Sequence, residues 1–581
     1  MEATRNIFPT RPHTSSSSTH QKKLRLKVVS NTNNKTLLPM EIKSRAISMA
    51  CLPSINQSTS VPQILDAPDY RRAHAHKLKT LKRELPKMED EFQALLMIDD
   101  IQRLGVDHHF QKEIEATLVE QYELQLSHFN GKIGDYDPDA SLHKTALRFR
   151  LLRQQGFPVR AEIFGKFMDE EVKIKYNPGG DIKGLMALYE ASQLSTRGED
   201  LLEEVRKYSY EVLRSSIRQQ STLVREMLKN PQHKSLAKFN SRKFLNNYLP
   251  GESWWGRDLK GLANLEFEMV QAQHKQEIIE ISRWWKSIGL SKELKFARDQ
   301  PLKWYTSTAT CLTDPRLSEE RIHLTKPISF IYLIDDIFDV YGQPRDLVLF
   351  TDVVNRWDMS AADNLPDEMK ICFKALQKIT NEISDWVYEK HGWDPTQSLH
   401  NAWADLCNAF LVESKWSGSG NLPNCEEYLK NGIVSSGVHV VLVHIYFLLG
   451  QGITKQNVEL IENNPGIISA PAAILRLWDD LGSAKDENQN GYDGSFVECY
   501  INEHRGTSIE EAREFVTYLI SESWKQLNEE CLCPNPYSLA FRNAALNLAR
   551  TVPLMYNYDS NHRLSNLEEF IHSLLNGNMS Y

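Results

Sequence analysis

Cysteine is scarce in this chain, with eight residues among 581, scattered at Cys51, Cys311, Cys372, Cys407, Cys425, Cys499, Cys531 and Cys533. The one close pair, Cys531-Leu532-Cys533, has neither zinc-ligand nor redox-motif spacing. This rules against a disulfide-stapled secreted fold and predicts reduced thiols inside a cell. Strand-like alternation is nearly missing after residue 63, so a sheet protein is not expected. Positive charge in excess is missing too. The whole chain is at −8, its first 62 residues contribute nine Lys/Arg against only Glu2 and Glu41, or +7, and the remainder therefore stands at −15. A body of that sign repels phosphate backbones, which excludes general nucleic-acid binding and leaves any phosphate-bearing ligand to be held by metal or local arginine. Long apolar runs are missing except for Gly432–Gly450, which has no formal charge over nineteen residues. Its length permits a membrane span, but its two His, two Ser and three Gly predict a buried helix.

What is present is helical. Leu201, Leu202, Val205, Tyr208, Val212 and Leu213 recur at three- and four-residue steps. Ser508-Ile509-Glu510-Glu511 reads as a capping box opening another helix. Asn177-Pro178-Gly179-Gly180, Leu249-Pro250-Gly251, Ser417-Gly418-Ser419-Gly420 and Asn464-Pro465-Gly466 read as loops between helices. The length suits two domains, and the expectation is an all-α chain divided at residues 63–255 and 256–581, with the boundary at the Leu249–Gly251 break. Residues 1–62 contain the run Ser15-Ser16-Ser17-Ser18 and have no continuous apolar stretch. That composition predicts an organellar transit peptide rather than a packed segment.

The chemistry concentrates in two acidic strings. Asp335, Asp336 and Asp339 interrupt the apolar run from Tyr332 to Phe338, on a helix expected to begin near Ile322. On an α-helix Asp335 and Asp339 are roughly 40° apart and about 6 Å apart along the axis. Carboxylates among apolar residues need a counter-charge. No Lys or Arg stands one turn away within the motif, and only oxygen ligands are on offer, which points to Mg²⁺ or Mn²⁺ rather than zinc. The alternative is an acidic helix end facing water. The second string places Asp479, Ser483 and Glu487 at steps of four, an oxygen ridge able to hold one hard cation. Two acidic faces that collect metal would suit an anionic ligand, and diphosphate is the natural candidate. Arg476 and Arg298 are placed to supplement the metals.

Together these motifs resemble those of the plant terpene synthase family: Asp-Asp-x-x-Asp at Asp335, Asp336 and Asp339, and Asn/Asp-Asp-x-x-Ser/Thr-x-x-x-Glu from Asp479 to Glu487. The resemblance covers the chain beyond about residue 63. It implies an α-helical class I catalytic domain preceded by an α-barrel relic domain without a catalytic motif. It also implies a monomer acting on a small-molecule prenyl diphosphate with three Mg²⁺ ions. By the same resemblance Asp335 and Asp339 bind two ions, Asp336 supports them as a partner, and Asp479, Ser483 and Glu487 hold the third, while Arg298 and Arg476 meet the diphosphate. The family usually has Arg-x-Arg where this chain has Arg298-Asp299-Gln300, so Lys485 is the candidate second cationic contact. The Ser483/Glu487 motif separates the chain from prenyltransferases that repeat the Asp-rich form. The string Asp135-Tyr136-Asp137-Pro138-Asp139 does not match the Asp-x-Asp-Asp of protonation-initiated synthases. Trp304, Tyr305, Phe330 and Tyr446 are candidates for steadying a carbocation or for ordinary core packing.

Arg71-Arg72 is followed eight residues later by Leu81, where many cyclising relatives have Trp. With Gln300, this resembles the clade that makes acyclic alcohols such as linalool and nerolidol. A less sealed active-site mouth would admit water to the cation; loss of a proton instead would give myrcene or ocimene. The basic leader resembles that of plastid-directed members, which implies geranyl diphosphate as the substrate met in the plant.

Overall fold

A computed structural model describes residues 68–130, 141–169, 181–216, 222–247, 253–486, 494–557 and 564–575. All lie within the compact unit Pro62–Tyr581. The transit peptide and the Leu249–Gly251 break fall outside the described residues, as does Glu487. The helix carrying Ser483 and Lys485 is described only as backbone at those two positions.

Among the described residues the elements are helices throughout, with no extended strand. The capping box is present at Ser508, whose hydroxyl accepts from the Glu511 backbone N–H while Glu511 reaches back to the Ser508 backbone. One expected loop is displaced: the helix Thr396–Ser419 continues through Ser417-Gly418-Ser419 and stops at Gly420, in the left-handed conformation. Helical hydrogen bonds here outweigh the local cost of glycine, about 1 kcal/mol against alanine.

The helices pack around two main hydrophobic cores. Leu95, Ile98, Phe110, Phe149, Leu152 and Val205 are at the centre of the first. Phe330, Leu333, Phe350, Leu376, Trp403 and Leu477 belong to the second. One helix, Gly256–Ile288, serves both. At 33 residues it is about 50 Å long, contributing Leu259, Leu262 and Ala263 to the first core and Trp285 to the second. Polar contacts join the halves as well. Asn528 donates from its amide to the carbonyls of Gln193 and Ser195, at 3.0 and 2.9 Å, and shares a 2.7 Å hydrogen bond with His233.

The uncharged run 432–450 is interior. It breaks at Gly437 (φ 71°) between the helices Cys425–Ser435 and Val438–Leu449. Every residue of the second of these is buried except Val441. A Cβ on Gly437 would lie 2.8 Å from Ile331 Cγ2. The break is therefore pressed against the helix Ser318–Asp336, which carries the first acidic motif.

Candidate active site

Asp335 and Asp336 end the helix Ser318–Asp336, which starts a turn earlier than Ile322. Beyond them the chain does not continue as α-helix. Ile337–Tyr341 is a π turn, closed by the Gly342 backbone N–H on the Ile337 carbonyl at 2.7 Å. The α-helical angle between Asp335 and Asp339 therefore does not apply, because a π turn bonds i to i+5 and widens the coil. Gly342 makes the closure possible: a Cβ there would lie 2.3 Å from Leu347 Cδ2 and 2.9 Å from both the Ile337 carbonyl oxygen and Met369 Cε. Gly342→Ala is expected to cost about 1–3 kcal/mol through overpacking and to raise the Mg²⁺ concentration needed for half-maximal activity. Parallel denaturation and metal titrations check both effects, and an unchanged titration would remove Gly342 from the positioning of Asp339.

Arg298 holds the motif together. Its backbone N–H donates to Asp336 Oδ2 at 2.8 Å, its Nε lies 2.7 Å from Asp336 Oδ1, and its other arm pairs with Asp335. The guanidinium also stands over the Tyr332 ring, 4.9 Å from the centroid. Asp336 is 4 % exposed; burial raises its pKa while Arg298 opposes the shift. Asp299 accepts a 2.7 Å hydrogen bond from the Trp285 indole and so points away from the acidic mouth. Gln300 is buried.

The second motif helix, Gly466–Asp486, brings Arg476 and Asp479 to face the first. Arg476 donates to the Ser435 hydroxyl at 3.1 Å and lies 3.5 Å from Glu413 and 3.9 Å from both Asp479 and Asp480. Gly432 leaves room for it, since a Cβ there would lie 2.9 Å from Arg476 Cγ. The Arg476 Nε is a buried donor with no partner among the described residues. Asp480 is structural: its carboxylate accepts from the Tyr428 hydroxyl at 2.9 Å and the Phe496 N–H at 3.1 Å, and burial lifts its pKa to about 7.

The two acidic faces sense one another. Asp339 is raised to about 7 by the protein around it, then by Asp335 and Glu413, although it is an exposed residue. Asp479 is raised by burial and by Asp335, against Arg476 and Lys303. The Tyr556 hydroxyl, on the helix Leu539–Tyr556, is raised by burial and by Asp479 and Asp335. Asp335, Asp339, Asp479 and Glu413 thus crowd one mouth with oxygen donors and more negative charge than its arginines balance. Such a set fits hard divalent cations.

Three contributors were missed by sequence reasoning. Glu413 is an isolated acid on the helix Thr396–Ser419, and it accepts a 2.6 Å hydrogen bond from Ser435. Tyr556 lies far along the chain with no motif around it. Lys303, one turn after Gln300, places its ammonium 5.5 Å from the Tyr332 ring centroid and acts electrostatically on Asp479; its spacing from Arg298 was the available signal. Trp304, Tyr305, Phe330 and Tyr446 are all 2 % exposed or less. Tyr305 donates to Glu277 at 2.6 Å and Tyr446 to the Gly452 carbonyl at 3.1 Å, so these two hydroxyls are spent on structure.

Comparison with known proteins decides the family. Residues 286–526 match the terpene synthase family metal binding domain, and residues 52–233 match the terpene synthase N-terminal domain. The chain belongs to the terpene synthase family. It is 49 % identical over 508 residues to an (E)-nerolidol synthase of Cannabis sativa, covering 85 % of this chain and 90 % of that one. It is 45 % identical over 550 residues to the chloroplastic S-(+)-linalool synthase of Arabidopsis thaliana, covering 93 % and 94 %. Isoprene synthase from grey poplar leaves (Populus x canescens), solved with three Mg²⁺ ions and dimethylallyl-S-thiolodiphosphate, superposes with a TM-score of 0.81 at 34 % identity, covering 88 % of this synthase and 97 % of that chain. All-helical, two-domain architecture is therefore the family's, and metal binding is a property of the domain that contains both acidic motifs.

Proposed function

We propose that this synthase is a class I lyase that ionises geranyl diphosphate, and farnesyl diphosphate when offered, and lets water capture the cation as an acyclic tertiary alcohol, linalool or nerolidol. The observation that carries the ionisation step is the convergence of Asp335, Asp339, Asp479 and Glu413 with Arg298, Arg476 and Lys303 on one mouth. Asp335 and Asp339 are assigned to two Mg²⁺ ions and Asp479, Ser483 and Glu487 to the third, with Mn²⁺ an acceptable substitute. Bound there, the ions supply neutralisation of the charge that develops on the departing diphosphate. Arg298 and Arg476 share that task, and Lys303, whose ammonium lies 5.5 Å from the Tyr332 ring centroid, supplements them beside Lys485. Preorganised cations of this kind act on charge as it forms, without reorganising.

The acyclic-alcohol product is supported by the nerolidol and linalool synthases to which the chain is similar, and by Gln300 in place of a second arginine. Leu81, standing where many cyclising relatives have Trp, belongs to the same reading and is fully buried in the first core. The chloroplastic linalool synthase and the basic leader favour a plastid location.

Incubating the purified protein with geranyl and with farnesyl diphosphate plus Mg²⁺ is expected to release diphosphate and to give linalool and nerolidol. Myrcene or ocimene would favour deprotonation over water capture, cyclic products would overturn the acyclic reading, and no metal-dependent turnover would leave a non-catalytic prenyl-diphosphate binder. Residues 1–65 fused to a fluorescent reporter are expected to enter leaf plastids; diffuse cytosolic signal would move the favoured product to nerolidol.

A further inference from the structure

A second set of potential ligands belongs to neither acidic motif. His74 lies on the helix Pro68–Glu84, His108 and His109 on the short turn Asp107–His109, and Glu266 on the long helix Gly256–Ile288. All three imidazoles present Nε2 to the one carboxylate: His74 and His109 to Oε2 at 2.9 and 3.0 Å, His108 to Oε1 at 3.0 Å. The group is well inside the protein, with side-chain exposures of 11 % for His74 and His108, 24 % for His109 and 10 % for Glu266. Burial alone would raise the Glu266 pKa, but hydrogen bonds from His108, His109 and His74 hold it well below the usual carboxylate range.

We propose that His74, His109 and Glu266 form a structural binding site for one transition-metal ion, best suited to Zn²⁺, with water completing its four positions and His108 holding the second carboxylate oxygen at 3.0 Å. The donor atoms of the first three already lie within 4.8 Å of one another. Zn²⁺ takes imidazole nitrogen and carboxylate oxygen at about 2.0–2.2 Å in a tetrahedron, which separates donors by about 3.3 Å. The two nitrogen-to-oxygen separations, 2.9 and 3.0 Å, need to open by only a few tenths of an ångström, and the two nitrogens are already within 4.8 Å of each other. Two nitrogens beside one oxygen disfavour Mg²⁺ and Ca²⁺, which demand oxygen, and the absence of thiolate favours Zn²⁺, Ni²⁺ or Co²⁺ over Cu(I). The ion would have an access route, since His108 and Glu266 line an open cleft of about 60 Å³ together with Leu104, Gly105 and Lys238. Lys238, on that wall, interacts electrostatically with Glu266, Asp314 and Asp107, and burial lowers its pKa to about 8. His108 in turn acts electrostatically on Asp107 and Asp314. Because His74 and Glu266 are 192 residues apart, the ion would cross-link distant segments, and its binding energy would be folding energy.

The test uses tag-free, full-length protein in millimolar Mg²⁺, so that oxygen-only sites are already filled. After loading with Zn²⁺ and gel filtration, elemental analysis is expected to find one Zn²⁺ per chain in the wild type and in Asp335→Ala, and at least about tenfold less in His74→Gln and His109→Gln. Co²⁺ is expected to give the intense visible bands of a tetrahedral site. A wild type that retains no Zn²⁺, or histidine variants that retain as much as wild type, would overturn the site and leave a hydrogen-bonded clasp. Should the variants fail to fold, the wild-type Co²⁺ spectrum decides: weak octahedral bands alone would also overturn it.

Discussion

Asp335→Ala is expected to lower kcat/KM by about 10²–10³-fold, the range seen when one preorganised electrostatic group is removed from an active site, while leaving helical content and melting behaviour close to wild type. The asymmetry follows from where the side chain sits. Asp335 is 32 % exposed and, among the described residues, its ion pair is with Arg298, so deleting it opens no cavity. Arg298 keeps Asp336 at 2.7 Å through its guanidinium and 2.8 Å through its backbone, and the helix end stays tethered. What is lost is an oxygen donor and part of the negative field acting on Asp339 and Asp479. Steady-state kinetics with a Mg²⁺ titration, beside circular dichroism, separates the two effects. Full activity in the variant would remove Asp335 from the metal-binding assignment.

The largest expected loss of stability comes from a residue with no role in the chemistry. Glu277 and Arg321 are 2 % and 1 % exposed and form a two-armed pair at 2.8 and 2.6 Å. Tyr305 and Ser318 each donate to the same carboxylate at 2.6 Å. Arg321 further donates to the carbonyls of Leu312 and Asp314, at 3.1 and 2.6 Å. Glu277→Ala strands a guanidinium in the interior, and is expected to cost about 3–5 kcal/mol. Replacing both partners by apolar residues of similar size, Glu277→Leu with Arg321→Met, is expected to recover most of that loss, because the buried charge goes with its partner. Chemical denaturation measures both variants. A single-variant loss under about 1 kcal/mol would mean that water reaches Arg321. Since Arg321 is on the helix that ends in Asp335 and Asp336, the pair also fixes the far end of the element that presents the first acidic motif.

Much of the candidate active-site mouth was legible in the chain because its motifs are local. Asp335, Asp336 and Asp339 fall within five residues, Arg476 and Asp479 within four, and carboxylates in apolar strings carry a physical cost that asks for a reason. The same local reasoning failed where a long-range contact makes the decision. Glu413 stands among residues with no acidic spacing and becomes part of the mouth only because Thr396–Ser419 packs beside the helix carrying Ser435. The π turn could not be read from spacing, since it depends on Leu347 and Met369 closing around Gly342. Leu81 was read for the Trp that it replaces, and its spacing from Arg71 and Arg72 did not show that its place on the helix turns it inward. The run 417–420 was read as a loop from composition alone, but these exposed residues continue the helix Thr396–Ser419 as far as Gly420, because its backbone hydrogen bonds outweigh the cost of Gly418.

The sharing of Gly256–Ile288 between both cores has a consequence for how the molecule can be divided. A fragment starting at this helix would carry Leu259, Leu262 and Ala263 out of the first core as an uncovered greasy stripe, and a fragment ending before it would lose that wall. The seam between the halves runs along the inside of a continuous rod rather than through a linker. Strain applied to either half is passed through roughly nine turns of hydrogen-bonded backbone to the other. The front half is therefore a splint for the helices that carry the acidic mouth, even though it contributes none of their oxygen donors.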